Sequence, residues 1–221
     1  WMGILFSLAL IFAFGFAFNA VQTNSIGGAM AQAFAVPHWL TGIVVVAITA
    51  FIIFGGIRRI VHFAEIVVPL MAVGYLLVAL WVVFTNLSLL PDVLALIISN
   101  AFGFGEAAAG VVGYGVAQAM INGIKRGLFS NEAGMGSAPN AAATADIPHP
   151  AQQGYVQMLG VFTDTIVICS CTAFIVLLAD PALWAEKDGV AMTQAALVSE
   201  VGAWGGPFVA IALLFFAFTS I

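Results

Sequence analysis

The chain has 221 residues, of which 63% are hydrophobic and only 7% charged. With a mean hydropathy of +1.14 it has too few polar side chains to cover a water-soluble globule, so its composition belongs to the membrane class. Ten acidic residues against five basic ones give a net charge of −5, carried mainly in the connections; this excludes nucleic-acid binding and says little about other partners.

A spanning helix needs about 20 mainly apolar residues. Six segments meet that pattern, at about 2–34, 42–57, 63–84, 93–124, 153–179 and from 206 to the end, the second of them short. Turn chemistry separates them at Pro37-His38-Trp39, Gly55-Gly56, Leu90-Pro91-Asp92, Pro148-His149-Pro150, Ala179-Asp180-Pro181 and Gly205-Gly206-Pro207. Trp1 in place of an initiator, and an apolar run still open at Ile221, read as an internal fragment of a longer protein. Arg58 and Arg59 close the second segment, and Lys125 and Arg126 close the fourth. Two intervening crossings put both pairs on one side, which the positive-inside rule makes cytoplasmic. The outer connection at 180–205 then carries Asp180, Glu186, Asp188 and Glu200 against Lys187 alone. Within it, Met192 to Val201 has the period of a short amphipathic helix, either a lid or a packed loop.

Polar residues at membrane depth need partners or a wet cavity, since each unpaired group costs several kcal/mol in hydrocarbon. Asn19, Gln22 and Thr23 fall at i, i+3 and i+4 late in the first segment, inside the run Asn19 to Ser25 that also holds Asn24. Such side chains serve either as glue between helices or as a binding face. The fourth segment is interrupted by Gly103, Gly105, Gly110, Gly113 and Gly115, each lowering helix propensity by about 1 kcal/mol relative to Ala, so an unwound stretch is expected there. Close packing through small residues is the other reading. Glu106, inside that stretch, pairs either with a ligand ammonium or with a neighbouring helix. Asp164 stands mid-segment, flanked by Thr163 and Thr165, and offers the hard oxygens that sodium or another small cation selects; its alternative role is structural. Cys169 and Cys171, two apart on a helix, point to different faces and cannot bridge. No His-Glu-x-x-His, Gly-x-Ser-x-Gly or Walker loop is present, which argues against an enzyme.

The run from Lys125 to Pro139, Lys-Arg-Gly-Leu-Phe-Ser-Asn-Glu-Ala-Gly-Met-Gly-Ser-Ala-Pro, followed by Asn140-Ala141-Ala142-Ala143 and His149-Pro150, closely resembles the signature of the alanine or glycine:cation symporter family. These are sodium-coupled amino acid carriers of the amino acid-polyamine-organocation group. The resemblance extends from Asn19 to Ile221 and implies an all-α polytopic membrane protein of the leucine-transporter type, built on inverted five-helix repeats, with substrate bound at the bilayer midplane. Residues 1–221 would form part of a single transporter domain holding core helices three to eight, the first two and the C-terminal helices lying outside it. The resemblance implies that Gln22 and Asn24 stand beside the substrate, and that the glycine run with Glu106 is the broken sixth helix facing the substrate and a cation. Phe162-Thr163-Asp164-Thr165 resembles the family's seventh helix, and Phe216-Ala217-Phe218-Thr219-Ser220 its eighth, where hydroxyls ligate sodium. The family usually carries Ser before Thr there, and this chain carries Thr before Ser, which leaves open which hydroxyl does what. The expected function is symport of alanine or glycine with sodium across the cell's plasma membrane, by alternating access and with no other cofactor. The alternatives are a same-fold carrier of another small solute or one coupled to protons, or a channel or non-transporting subunit. Interrupted, glycine-rich helices with charge at depth favour a carrier over a channel.

Overall fold

The computed structural model describes residues 1–102, 112–132, 135–184, 186–187 and 189–221, and among these all regular structure is helical. Gly103, Gly105, Glu106 and Gly110 therefore lie outside the described residues. The chain divides into two compact units, Trp1–Val82 with Ile175–Ile221, and Val83–Phe174.

In the first unit, α1 (Met2–Phe12), a π-helical turn (Ala13–Phe18) and α2 (Asn19–Phe34) run as one apolar helix of 33 residues. At about 1.5 Å per residue it is roughly 50 Å long, enough to cross a hydrocarbon core of about 30 Å. It stops where Ala35 turns left-handed at φ 54 and returns its N–H to the Ala31 carbonyl. Pro37 then leads directly into α3 (His38–Ile53), four residues earlier than the hydropathy start at 42, because His38, Trp39 and Leu40 already occupy the first turn. The turn into α4 (Ile57–Thr85) is built on two glycines. Gly56 adopts φ 76, and Arg59 folds back over Gly55, its Nη1 donating to the Phe51 carbonyl at 3.0 Å and its guanidinium 4.4 Å from the Phe51 ring centroid. Any side chain at Gly55 would collide with Arg59 Cδ. A base at a helix C-terminus meets the last carbonyls and the negative end of the dipole.

The remainder of this unit is α11 (Val190–Val201) and α12 (Gly205–Phe218), with the single-turn α10 (Pro181–Trp184) preceding them. Ile26 of α2, Val45 of α3 and Ala217 of α12 form its buried cluster, with Met30, Leu213 and Phe218 packed around it. The amphipathic period at 192–201 is met by α11, whose buried face includes Gln194 at 2% exposure. Gln194 Nε2 donates to the carbonyls of Ala29 and Gly206, each at 3.2 Å, which pins α11 to both α2 and α12. Gly205 permits the approach, since a Cβ there would stand 2.8 Å from the Leu197 carbonyl oxygen.

The second unit holds α5 (Leu90–Ala101), α6 (Val112–Asn131), α7 (Ser137–Ala142), α8 (Pro150–Phe162) and a second π-helical turn (Thr163–Ile168), which continues into α9 (Cys169–Leu178). His149 caps α8, its Nδ1 accepting from the Ala151 N–H at 3.1 Å, and Pro150 opens the first turn, where its missing N–H costs nothing. Among the described residues three helices, Met2–Phe34, Ile57–Thr85 and Pro150–Leu178, are long and apolar enough to cross a membrane. His38–Ile53, Leu90–Ala101, Val190–Val201 and Gly205–Phe218 are apolar but shorter. The fourth segment, read as 93–124, is described as α5 and α6 with residues 103–111 outside the description. Lys125 and Arg126 do not close it, because nothing from Gly127 to Ser130 breaks the ladder and α6 continues to Asn131.

Candidate functional site

The second unit gathers a polar cluster inside otherwise apolar helices. Asp164 and Thr165 open the π-helical turn of the Pro150–Leu178 helix, 14 residues beyond its start and so roughly 21 Å along it. The wider π geometry shows in the Cys169 N–H, which reaches back five residues to the Asp164 carbonyl. Single π turns recur at functional positions. Across from it, the end of α6 supplies two partners in register: Ser130 Oγ donates to Asp164 Oδ2 at 2.6 Å, and Asn131 Nδ2 donates to Thr165 Oγ1 at 3.0 Å. The first bond lies at the short end of the range for O–H···O bonds. Because that bond uses the one proton of Ser130, the 3.3 Å contact of Ser130 Oγ with Cys169 Sγ requires the thiol to donate. Beyond Asn131, Glu132 takes the left-handed conformation at φ 55, uncommon for a residue with a side chain, and its Oε2 accepts from Ser137 Oγ at 2.5 Å. Three consecutive polar residues of the signature run, Ser130 to Glu132, thus each hold a side-chain partner.

The chemistry of this cluster is that of hard oxygens: one carboxylate, two hydroxyls and an amide. Among the described residues no three His, Cys, Asp or Glu come together as a transition-metal site. Carboxylate and hydroxyl oxygens suit a small hard cation. A cavity of about 650 Å³ lies elsewhere, between α7 and the Gly154–Met158 side of α8; its lining, mainly alanines and other apolar residues with two glutamines, does not include Asp164.

In the first unit the polar run of α2 separates by face. Asn19 Nδ2 donates to the Gly15 carbonyl at 3.4 Å and Ser25 Oγ to the Val21 carbonyl at 2.9 Å, so both are spent on their own helix. Gln22 is half-buried one turn before Ile26, on the side that packs α12, whereas Asn24 is exposed about 200° around the helix. The two expected substrate residues therefore do not share a face. At the far end of α12, Thr219 Oγ1 donates to the Phe216 carbonyl at 2.8 Å and Ser220 follows in the turn. The expected cation residues fall into two groups, Asp164 and Thr165 in the second unit and Thr219 and Ser220 in the first.

The sequence model of the sodium:alanine symporter family matches residues 1–221. The chain belongs to that family. It is 51% identical over 221 residues to the amino-acid carrier protein AlsT of Bacillus subtilis (strain 168), which covers all of this chain and 46% of that protein. To a probable sodium/glutamine symporter, GlnT, of the same organism it is 48% identical over 221 residues, 100% of this chain and 45% of the relative. To a sodium/proton-dependent alanine carrier protein of Bacillus sp. (strain PS3) it is 39% identical over 227 residues, 96% of this chain and 50% of the relative. The chain thus spans about half the length of the relatives it matches. The chain is thus part of a family of membrane transporters, and among its described residues three helices are apolar and long enough to cross a membrane. Within the signature run, the place of Ser130 and Asn131 opposite Asp164 and Thr165 has no local signal, since 34 residues separate each pair.

Proposed function

We propose that the whole protein is a secondary active transporter that couples inward sodium movement to uptake of alanine or glycine by alternating access. The observation that carries this reading is Asp164: a carboxylate within a membrane-length apolar helix, set in a π-helical turn, with Ser130 as its partner and no basic partner among the described residues. Ionisable groups at membrane depth mark ion pathways, and sodium is the cation whose preference for carboxylate and hydroxyl oxygen this cluster meets. Thr219 and Ser220 are proposed as a second oxygen pair for the coupling ion. Gln22, with Gly103, Gly105, Glu106 and Gly110, is proposed to face the amino acid, whereas Asn24, on another face of α2, is proposed to act on it only from outside that contact. In this reading residues 1–221 belong to a single leucine-transporter-type domain, with the Arg58–Arg59 and Lys125–Arg126 pairs on the cytoplasmic side of the plasma membrane. The relatives named for alanine and for glutamine support amino acid cargo; they also sustain a second reading, in which the cargo is a different small amino acid or the ion is a proton.

The test is uptake by the whole protein in proteoliposomes. Alanine or glycine should accumulate only under an inward sodium gradient. Equal accumulation in sodium-free, depolarised vesicles would remove sodium coupling, and glutamine outcompeting alanine would move the cargo to the second reading.

A further inference from the structure

Helices often close on a residue in the left-handed conformation, and that residue is usually glycine, which has no Cβ to be penalised there. At the end of α6 the place is taken by Glu132, at φ 55. A backbone held in a disfavoured well persists only where something else offsets its cost. For Glu132 the offset is its side chain, whose Oε2 accepts from the Oγ of Ser137, the first residue of α7, at 2.5 Å. Its carbonyl also accepts from the Met135 N–H at 3.0 Å, so one residue ties the end of α6 to the start of α7 by backbone and side chain together. The two residues just before it are those that reach the neighbouring helix, Ser130 to Asp164 at 2.6 Å and Asn131 to Thr165 at 3.0 Å. These contacts have little slack. A displacement of the α6 end by about 1 Å would stretch the Ser130 contact to about 3.6 Å, a length at which no hydrogen bond remains.

We infer that Glu132 is a positioning residue for ion coupling: anchored on Ser137, it holds the α6 terminus where Ser130 and Asn131 meet Asp164 and Thr165. The inference rests on the reading of Asp164 as a group that acts on the coupling ion, and it gives Glu132 no contact with that ion. The work of the carboxylate is then separable from that of the backbone. Glu132→Gly relieves the left-handed strain but releases the anchor, so it should be more stable than Glu132→Ala and yet lose as much sodium affinity. Glu132→Gln keeps an acceptor for Ser137 and should lose little. Because Glu132 acts through Ser130 and Asn131, its removal should matter little once both of those side chains are gone.

The experiment measures alanine uptake by the whole protein in proteoliposomes as sodium is varied at constant ionic strength, with the melting temperature in detergent beside it. Glu132→Gly, Glu132→Ala and Ser137→Ala should each raise the half-saturating sodium concentration about three- to 30-fold, while Glu132→Gln stays within about twofold of the parent. Ser137→Ala leaves Glu132 in place and carries the test should the Glu132 variants fail to fold. Added to Ser130→Ala with Asn131→Ala, Glu132→Ala should shift the titration by less than about a further twofold. Parental titrations in Glu132→Gly and Ser137→Ala beside a shifted one in Asp164→Asn would overturn the role of Glu132 and leave that of Asp164 standing. A parental titration in Asp164→Asn would remove the reading of Asp164, and this inference with it. A full further shift of Glu132→Ala on top of the Ser130 and Asn131 changes would make Glu132 act on the ion directly, and a lower melting temperature with unchanged sodium dependence would make it structural; either result ends the proposal.

Discussion

Whether α11 is a movable lid or a fixed wall turns on Gln194. The side chain is 2% exposed, and both its amide protons are used, one on the Ala29 carbonyl and one on the Gly206 carbonyl, each at 3.2 Å. Its Oε1 is buried and has no hydrogen-bond partner. Replacement by Leu removes two hydrogen bonds, about 0.5–1.5 kcal/mol each, and at the same time removes the unpaired oxygen, which costs about 1–3 kcal/mol; the net change is about zero. Replacement by Glu loses the same two bonds and aims carboxylate oxygens at two carbonyls inside a dry contact. That substitution should cost at least about 3 kcal/mol, as unpaired buried charges do, and so shift the attachment of α11 by more than about 100-fold. The assay is maleimide labelling of a cysteine at Ala196, which is fully buried, in the whole protein with Cys169 and Cys171 replaced. Labelling should rise more than about 100-fold in Gln194→Glu and stay within about tenfold of the parent in Gln194→Leu. Equal protection in both variants would refute the two-carbonyl clamp, and fast labelling in the parent itself would make α11 a lid that opens freely.

Two further outcomes separate the remaining readings. Asp164→Asn in the whole protein should weaken the sodium dependence of uptake by at least about tenfold if the carboxylate acts on the ion, since charge-assisted contacts run to about 1.5–3 kcal/mol, with Ser130→Ala giving a smaller shift in the same direction; lower expression with unchanged sodium dependence would make the pair structural. Cysteines placed beside Arg59 and Arg126 should label from the cytoplasm and one beside Glu186 from outside, and the opposite result would reverse the proposed orientation.

That second outcome bears on how the basic pairs are read. At 29 residues the Pro150–Leu178 helix is roughly 43 Å long, some two turns more than a hydrocarbon core of about 30 Å needs. Ser130 bonds Asp164 roughly 21 Å along that helix, and Lys125 lies five residues before Ser130 on α6. Hydropathy alone ended the fourth segment at the charges because it scores each residue against an average bilayer; the ladder itself has no reason to stop before Glu132.

The same distinction between local and distant causes divides what the sequence disclosed from what it did not. Helix positions followed from apolar runs and from Pro37, Pro91 and Pro150, because hydrophobic length and a missing N–H act within a turn or two of where they occur. The period of α11 was visible for the same reason, but not that Gln194 faces inward, since a single amide on an apolar face is equally a surface residue until α2 and α12 offer it carbonyls. Gly205 read as a turn residue; its role is to let α12 approach the Leu197 carbonyl, a demand set by a neighbour and not by local backbone shape. Asp164 was conspicuous because charge at depth is costly wherever it stands, while Ser130 and Asn131 were not, because hydroxyls and amides in helices usually satisfy themselves on the preceding turn. What marks those two is a partner 34 residues away, which is a property of packing.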